Sequence, residues 1–193
     1  MERDAEFFDR LTDLVLVEGV RELTVATIAA RLRCSRRRLY ELAPSKEELF
    51  CLVAGNFFDK TLEEADRIAA DRGDLAAALC DCLGVGAKAA QRVGLPFLRD
   101  IEASDRARAI FDGYHRARSK RIRVLIDTGV EAGVFVPCHG EIVTQMLLSA
   151  TMVLRKPAFL SSVGLSLEDA FGEMYRVLLG GLVARAHPAG SST

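Results

Sequence analysis

The sequence predicts an all-α protein. Apolar residues recur at three- and four-residue spacing in almost every segment, and no segment alternates apolar and polar residues as a half-buried strand does. Alanine, leucine, valine and arginine are frequent, whereas proline numbers only 5, a mix that favours helix over sheet. Half of the 193 residues are hydrophobic. A chain of that length buries about 70% of the surface it would expose unfolded, in one or two domains.

The elements follow in order. Over 5–18, Phe7, Phe8, Leu11, Leu14, Val15 and Val17 form one broad apolar stripe, and Gly19 ends the helix. Thr24 takes the N-cap position of a short helix over 25–32, whose Ile28, Ala29 and Leu32 face inward. Arg33 and Cys34 make a turn, and Ser35 caps a second short helix over 36–41, anchored by Leu39. Pro44 closes that segment, because the residue before a proline avoids helical angles. Ser45 and Glu48 have the spacing of a capping box, in which a hydroxyl and a carboxylate satisfy the free amides of a helix start. The long helix behind them carries Leu49, Leu52, Val53, Phe57 and Leu62 and is expected to reach about residue 72, before Gly73. Further helices are expected over 74–93 with Asp74 as cap, over 97–102 after the interruption at Gly94 and Pro96, and from Ser104 or Asp105 to 131. Residues 132–141, AGVFVPCHGE, read as a loop. Two strongly apolar helices follow, over 142–155 up to a stop near Pro157 and over 166–186.

Charge is placed unevenly along the chain. The net charge is −1, yet residues 21–46 hold seven basic side chains against two acidic ones, a net +5 that leaves −6 on the rest. A basic end on an acidic body suits a polyanion that touches one end only. A solvated helix face would also account for scattered arginines. Arg36, Arg37 and Arg38, however, stand together on the first turn of a helix, where the helix dipole opposes cations, and that favours an external anion. Arginine at such a place forks onto guanine O6 and N7 or grips a phosphate, and helix-turn-helix spacing suits the DNA major groove.

The run T-V-A-T-I-A-A-R-L, followed by C-S-R-R-R-L-Y and P-S-K-E-E-L, resembles the amino-terminal domain of TetR-family transcriptional regulators. The motif-bearing part spans 21–52, and the rest matches only in helical layout, in the Gly-Val-Phe loop and in the final LLGGL helix. The resemblance implies a DNA-binding head over 1–46, a helical effector-binding and dimerisation domain over 47–187, and a disordered tail over 188–193. It implies that Thr24 and Ser35, as caps, set backbone N–H groups at helix starts where phosphate binds. Arg36, Arg37 and Arg38 then lie on the recognition helix, Tyr40 donates its hydroxyl to a phosphate, and Lys46 contacts another. This chain departs from the pattern in having arginine at 37 and 38, where glycine and a small or hydroxyl residue are usual. It also has Leu42 and Ala43, where histidine or an aromatic and then phenylalanine are common, which puts the operator sequence in doubt more than DNA binding itself.

The implied function is a repressor that binds near-palindromic double-stranded DNA as a homodimer and is released by a small molecule. Dimerisation would set the two recognition helices roughly 34–36 Å apart, one DNA turn. The last two apolar helices are the expected dimer seam, being too apolar for isolated exposure. Phe97, Phe111, Tyr114, His115, Met146 and Met152 are the candidate lining of a pocket for an apolar or aromatic effector, although such residues are more often plain core.

Rival classes fare less well. Five cysteines, Cys34, Cys51, Cys80, Cys82 and Cys138, are an odd count that suits reduced thiols in a cytoplasm. The charged first ten residues do not read as a signal peptide. A thiol or metal sensor would draw on Cys138, His139 and Glu141, a weak ligand set, since Cys80 and Cys82 point to different faces of a helix. An enzyme is not expected: the three histidines are scattered, and no nucleophile elbow, phosphate loop or zinc-protease motif occurs. A helical adaptor for protein partners remains the other alternative. No cofactor and no metal are expected.

Overall fold

The computed structural model describes the backbone of residues 2–70 and 73–182. The end of the expected fourth helix, His187 and the expected tail lie outside the described residues. Ten helices make up the described fold: α1 (Glu2–Glu18), α2 (Val25–Leu32), α3 (Arg36–Leu42), α4 (Lys46–Ala70), α5 (Leu75–Gln91), α6 (Leu95–Ala103), α7 (Asp105–Glu131), α8 (Gly140–Leu154), α9 (Pro157–Val163) and α10 (Leu167–Leu182). The all-α class read from periodicity is the observed one.

Helices as short as α2 and α3, with 8 and 7 residues, are not stable alone and depend on caps and packing. Thr24 accepts the N–H of Thr27 at 3.0 Å, and Ser35 accepts that of Arg38 at 3.2 Å. Leu39, 2% exposed, is the buried residue of α3 and pins it against the core, a burial worth about 2–3 kcal/mol. The turn between the helices is made by Arg33 in the left-handed region, with φ 53° and ψ 47°.

The structure refines three element readings. Ser45 accepts the N–H of Glu48 at 3.1 Å, but the Glu48 carboxylate turns to Arg106, 3.6 Å away, so only half of the expected capping box forms. The helices before Pro96 and Pro157 do end short of them, at Gln91 and Leu154, but each proline also opens a helix. Each stands in the first turn of one, where a missing N–H costs nothing, and α9 is a helix the sequence reading did not include. The 132–141 loop is also tied down: Phe135 is buried against Gly129, and the Val136 N–H donates to the Leu182 carbonyl at 2.9 Å.

The long α4 and α7 pack together at the centre, flanked by α5, α8 and α10. The small unit α1–α3 leans on this body through α1, which touches α4 and α6. One continuous apolar core runs from Leu11, Val15 and Ile28 through Phe50 and Phe97 to Phe111 and Phe171. Among the described residues no helix is long and apolar enough to cross a membrane.

Candidate nucleic-acid interface and effector cavity

The turn and caps just described leave the outer face of α3 in solvent. Arg36, Arg37 and Tyr40 are exposed there, Tyr40 by 54%. Arg36 makes no ion pair among the described residues. Arg37 pairs with Glu41 one turn on, at 2.9 Å, with both side chains largely in water, so the pair is worth about 0.3–0.5 kcal/mol and opens readily for another anion. Arg38 behaves differently. Its guanidinium reaches back to Asp4 at 2.5 Å and lies 4.6 Å from the Phe7 ring centre, fastening α3 to α1. Of the triple-arginine turn, two members therefore point outward and the third is engaged on the protein's own surface.

Lys46 also sits otherwise than as a free phosphate ligand. Its Nζ donates to the carbonyls of Val20, Arg21 and Leu23 at 3.1, 3.1 and 2.6 Å. An ammonium has three donors, and all three are used to close the C-terminal side of the α1–α2 turn. Arg10 does similar service for α2, donating to the Leu32 carbonyl at 2.9 Å. Thr24 and Ser35 are exposed at the two helix starts, with their oxygens occupied as caps.

In the body, the expected pocket residues do not share one place. Phe111, Tyr114 and His115 come together on α7 around a small cavity of about 20 Å³, walled also by Phe58, Gly86, Arg118 and Phe171. The rings are close: Phe58 stacks on Tyr114 at 4.7 Å, and Phe111 lies 4.4 Å from His115. Phe97 is fully buried beside this cluster, 5.0 Å from Phe50 and 6.3 Å from Phe58, and does not reach the cavity. Met146 lies elsewhere, 67% exposed on an apolar groove between α8 and α10, and Met152 lines neither space. Met146 fails as a partner of the aromatic set because it stands on the solvent side of α8, and α8 supplies neither methionine to the cavity, which is walled by α4, α5, α7 and α10.

Arg118 and Tyr175 belong to the same neighbourhood and were not among the sequence candidates. The Arg118 guanidinium lies 5.4 Å from the Tyr175 ring centre. A signal was present: 118 continues the stripe of 111, 114 and 115 at helical spacing, so an arginine stands where an apolar residue belongs. Burial, aided by the nearby charges of Arg118 and Arg155, holds the His115 imidazole well below its usual 6.5, which keeps it neutral. Burial also pushes the Tyr114 hydroxyl up to about 12.

The groove between α8 and α10 has a volume of about 670 Å³ and an almost wholly apolar lining that includes Val143, Leu147, Leu154, Met174 and Leu178. Met146 and Val177, each 67% exposed, and Ile142, 57% exposed, leave apolar surface in water on these two helices.

The cysteines are dispersed. Burial raises the thiols of Cys34, Cys51 and Cys82 above their ordinary value, away from the reactive thiolate. Among the described residues no three His, Cys, Asp or Glu side chains converge as a metal site, and Glu141 is turned to Arg123 at 2.6 Å.

No protein-family model matches the sequence, and no curated protein is similar to it by sequence. Solved structures do match its fold. A transcriptional regulator from Saccharomonospora viridis in complex with choline superposes with a TM-score of 0.72 at 14% identity, covering 95% of this chain and 99% of that one. A TetR transcription regulator from Haloarcula marismortui gives 0.71 at 17% identity, over 92% and 99% of the two chains. A TetR-family repressor from Thermus thermophilus, FadR, in complex with lauroyl-CoA, gives 0.53 at 21% identity, over 97% and 99%. Over nearly its whole length, the chain carries the fold of the TetR-family transcriptional regulators.

Proposed function

We propose that this protein is a DNA-binding transcriptional regulator, a repressor that grips a near-palindromic operator as a homodimer and is released by a small-molecule effector. The head is residues 1–46 and the effector-binding and dimerisation body is 47–187. The observation that carries the reading is the outward cationic face of α3, Arg36 and Arg37 with Tyr40, on a helix-turn-helix braced from behind by Lys46, Arg10 and Leu39. Arg36 and Arg37 meet base edges or phosphates, Tyr40 meets a phosphate, and the starts of α2 and α3 at Thr24 and Ser35 abut the backbone. Arg38 and Lys46 contribute mainly by holding the head's shape.

The apolar groove on α8 and α10 supports a dimer in which a second copy covers Met146 and Val177. The aromatic cavity in the body supports an effector site there. That solved neighbours of this fold hold choline or lauroyl-CoA is in keeping with a ligand-responsive body. The ligand acts by preferring a body conformer that alters the spacing of the two heads.

The test is selection of bound duplexes from random DNA, followed by fluorescence anisotropy on the winner at rising salt. A two-fold symmetric site should emerge, with affinity falling steeply as salt rises. Enrichment of no sequence, with binding that is weak at every salt concentration, would overturn the regulator reading in favour of a protein-binding adaptor.

A further inference from the structure

Two arginines are buried in the body, and they differ in their company. Arg155 lies 3.6 Å from Glu102 and 3.3 Å from Asp112, so the chain itself answers its charge. Arg118, 5% exposed, has no carboxylate partner among the described residues. Its Nη2 makes two long hydrogen bonds, 3.4 Å each, to the carbonyls of Cys82 and Leu83, and its Nε has no acceptor. The buried hydroxyl of Tyr175, the ring beside it, lies within reach of this guanidinium but makes no well-formed hydrogen bond. Gly86 is what admits the guanidinium, for a Cβ there would stand 2.5 Å from Nη2.

An isolated buried cation costs several kcal/mol, and a ring face with two stretched carbonyl contacts offsets only part of that. His115 does not supply the missing charge, being neutral, and Tyr114 keeps its proton. The cavity lined by Arg118 thus offers one positive charge and aromatic walls, with no carboxylate among its lining residues; the guanidinium's Nε is idle, and the Tyr175 hydroxyl stands by the same guanidinium.

We propose, resting on the regulator reading above, that the effector is an organic monocarboxylate with an apolar or aromatic body. Its carboxylate pairs with Nε and Nη2 of Arg118 and takes the Tyr175 hydroxyl as a further donor. Its body lies among Phe58, Phe111 and Phe171. At about 20 Å³ the cavity has room for one water-sized group, so the acid enters by parting these rings, which ties occupancy to the packing of α5 against both α7 and α10. A quaternary ammonium such as choline meets a like charge and is rejected.

The experiment uses the purified full chain without DNA, with calorimetric titration and thermal melts. The probes are phenylacetate and octanoate, their neutral amides phenylacetamide and octanamide, and choline. Each acid is expected to raise the melting temperature and to bind about tenfold or more tighter than its amide, with no effect of choline. Arg118→Met should erase the difference between acid and amide, and Arg118→Lys should restore part of it. If Arg118→Met does not fold, Gly86→Ala serves instead: it keeps the charge, displaces the guanidinium and should weaken acids more than amides. Amides that bind as well as acids, choline that binds as well as either acid, or no binding by either acid would overturn the inference. A chain that selects DNA yet ignores the acids keeps the regulator reading and loses this one; a chain that binds acids but selects no DNA does the reverse.

Discussion

The carboxylate of Asp100, on α6, accepts the main-chain N–H of Val20 at 2.6 Å and that of Arg21 at 3.1 Å, in the turn that leaves α1. Gly19, at φ 64°, makes this possible, because a Cβ there would come within 2.5 Å of the Asp100 oxygen. A second tie lies alongside: the Gly94 N–H donates to the Leu16 carbonyl at 2.8 Å. The head is thus hydrogen-bonded to the helix that itself packs on α7 and the effector region. Asp100→Ala should cost about 1–3 kcal/mol in urea unfolding, since one buried and one partly buried N–H group lose their acceptor. Asp100→Asn keeps an oxygen and should cost clearly less; equal losses would mean that the hydrogen bonds contribute nothing.

On α3 the outward and inward arginines should separate by assay. Arg36→Ala and Arg37→Ala should each weaken binding to the selected operator by about 1–3 kcal/mol, with stability changed by less than about 0.5 kcal/mol. Lys46→Ala should instead destabilise the fold by about 1–2 kcal/mol, because three carbonyls lose one shared donor. Operator affinity unchanged in both arginine variants would remove α3 as the reading element.

Arg33 occupies a left-handed conformation that costs a side chain about 1 kcal/mol and glycine almost nothing. Arg33→Gly should therefore stabilise the protein by about 0.5–1 kcal/mol, visible as a higher melting temperature. A lower melting temperature would show that the arginine side chain contributes more than the backbone strain removes.

His115 makes a pH prediction. Its imidazole titrates well below 6.5 when folded, through burial first and then Arg118 and Arg155, and near 6.5 when unfolded. The unfolded chain then binds the proton more readily, so this contribution to stability is complete above 6.5 and is lost as pH falls below it. His115→Gln should flatten the acid limb of a stability–pH curve measured by denaturant unfolding. An acid limb as steep as that of the parent would assign the loss to other groups.

Apolar exposure on α8 and α10 predicts the fate of charged variants. Met146→Glu combined with Val177→Glu should convert a dimer to a folded monomer in sedimentation or light scattering, since each replaces a largely exposed apolar side chain of the subunit. An unaltered dimer mass would place the seam on another face.

Local chemistry made much of this protein legible in advance. Hydroxyl caps at Thr24 and Ser35, the 25–32 helix and the cationic start at 36 depend on near neighbours, and the structure has them where the spacing puts them. The helix ends before Pro96 and Pro157 were legible as well, but not that Pro157 opens a further helix, because that is decided by what the following turn packs against.

Side-chain destinations were the other gap. Sequence placed Arg36, Arg37, Arg38 and Lys46 in one basic cluster, but only the tertiary fold brings Asp4 of α1 to Arg38 and, with α1 packed on α4, the Val20–Leu23 carbonyls to Lys46. Likewise Phe111, Tyr114 and His115 share a stripe by spacing, whereas the isolation of Arg118 follows from α5, α7 and α10 closing around it. Periodicity and caps act within a few residues, so the chain alone determined the all-helical class and the helix-turn-helix. Burial, ion pairing and cavities depend on residues tens of positions apart, and those the tertiary structure decided.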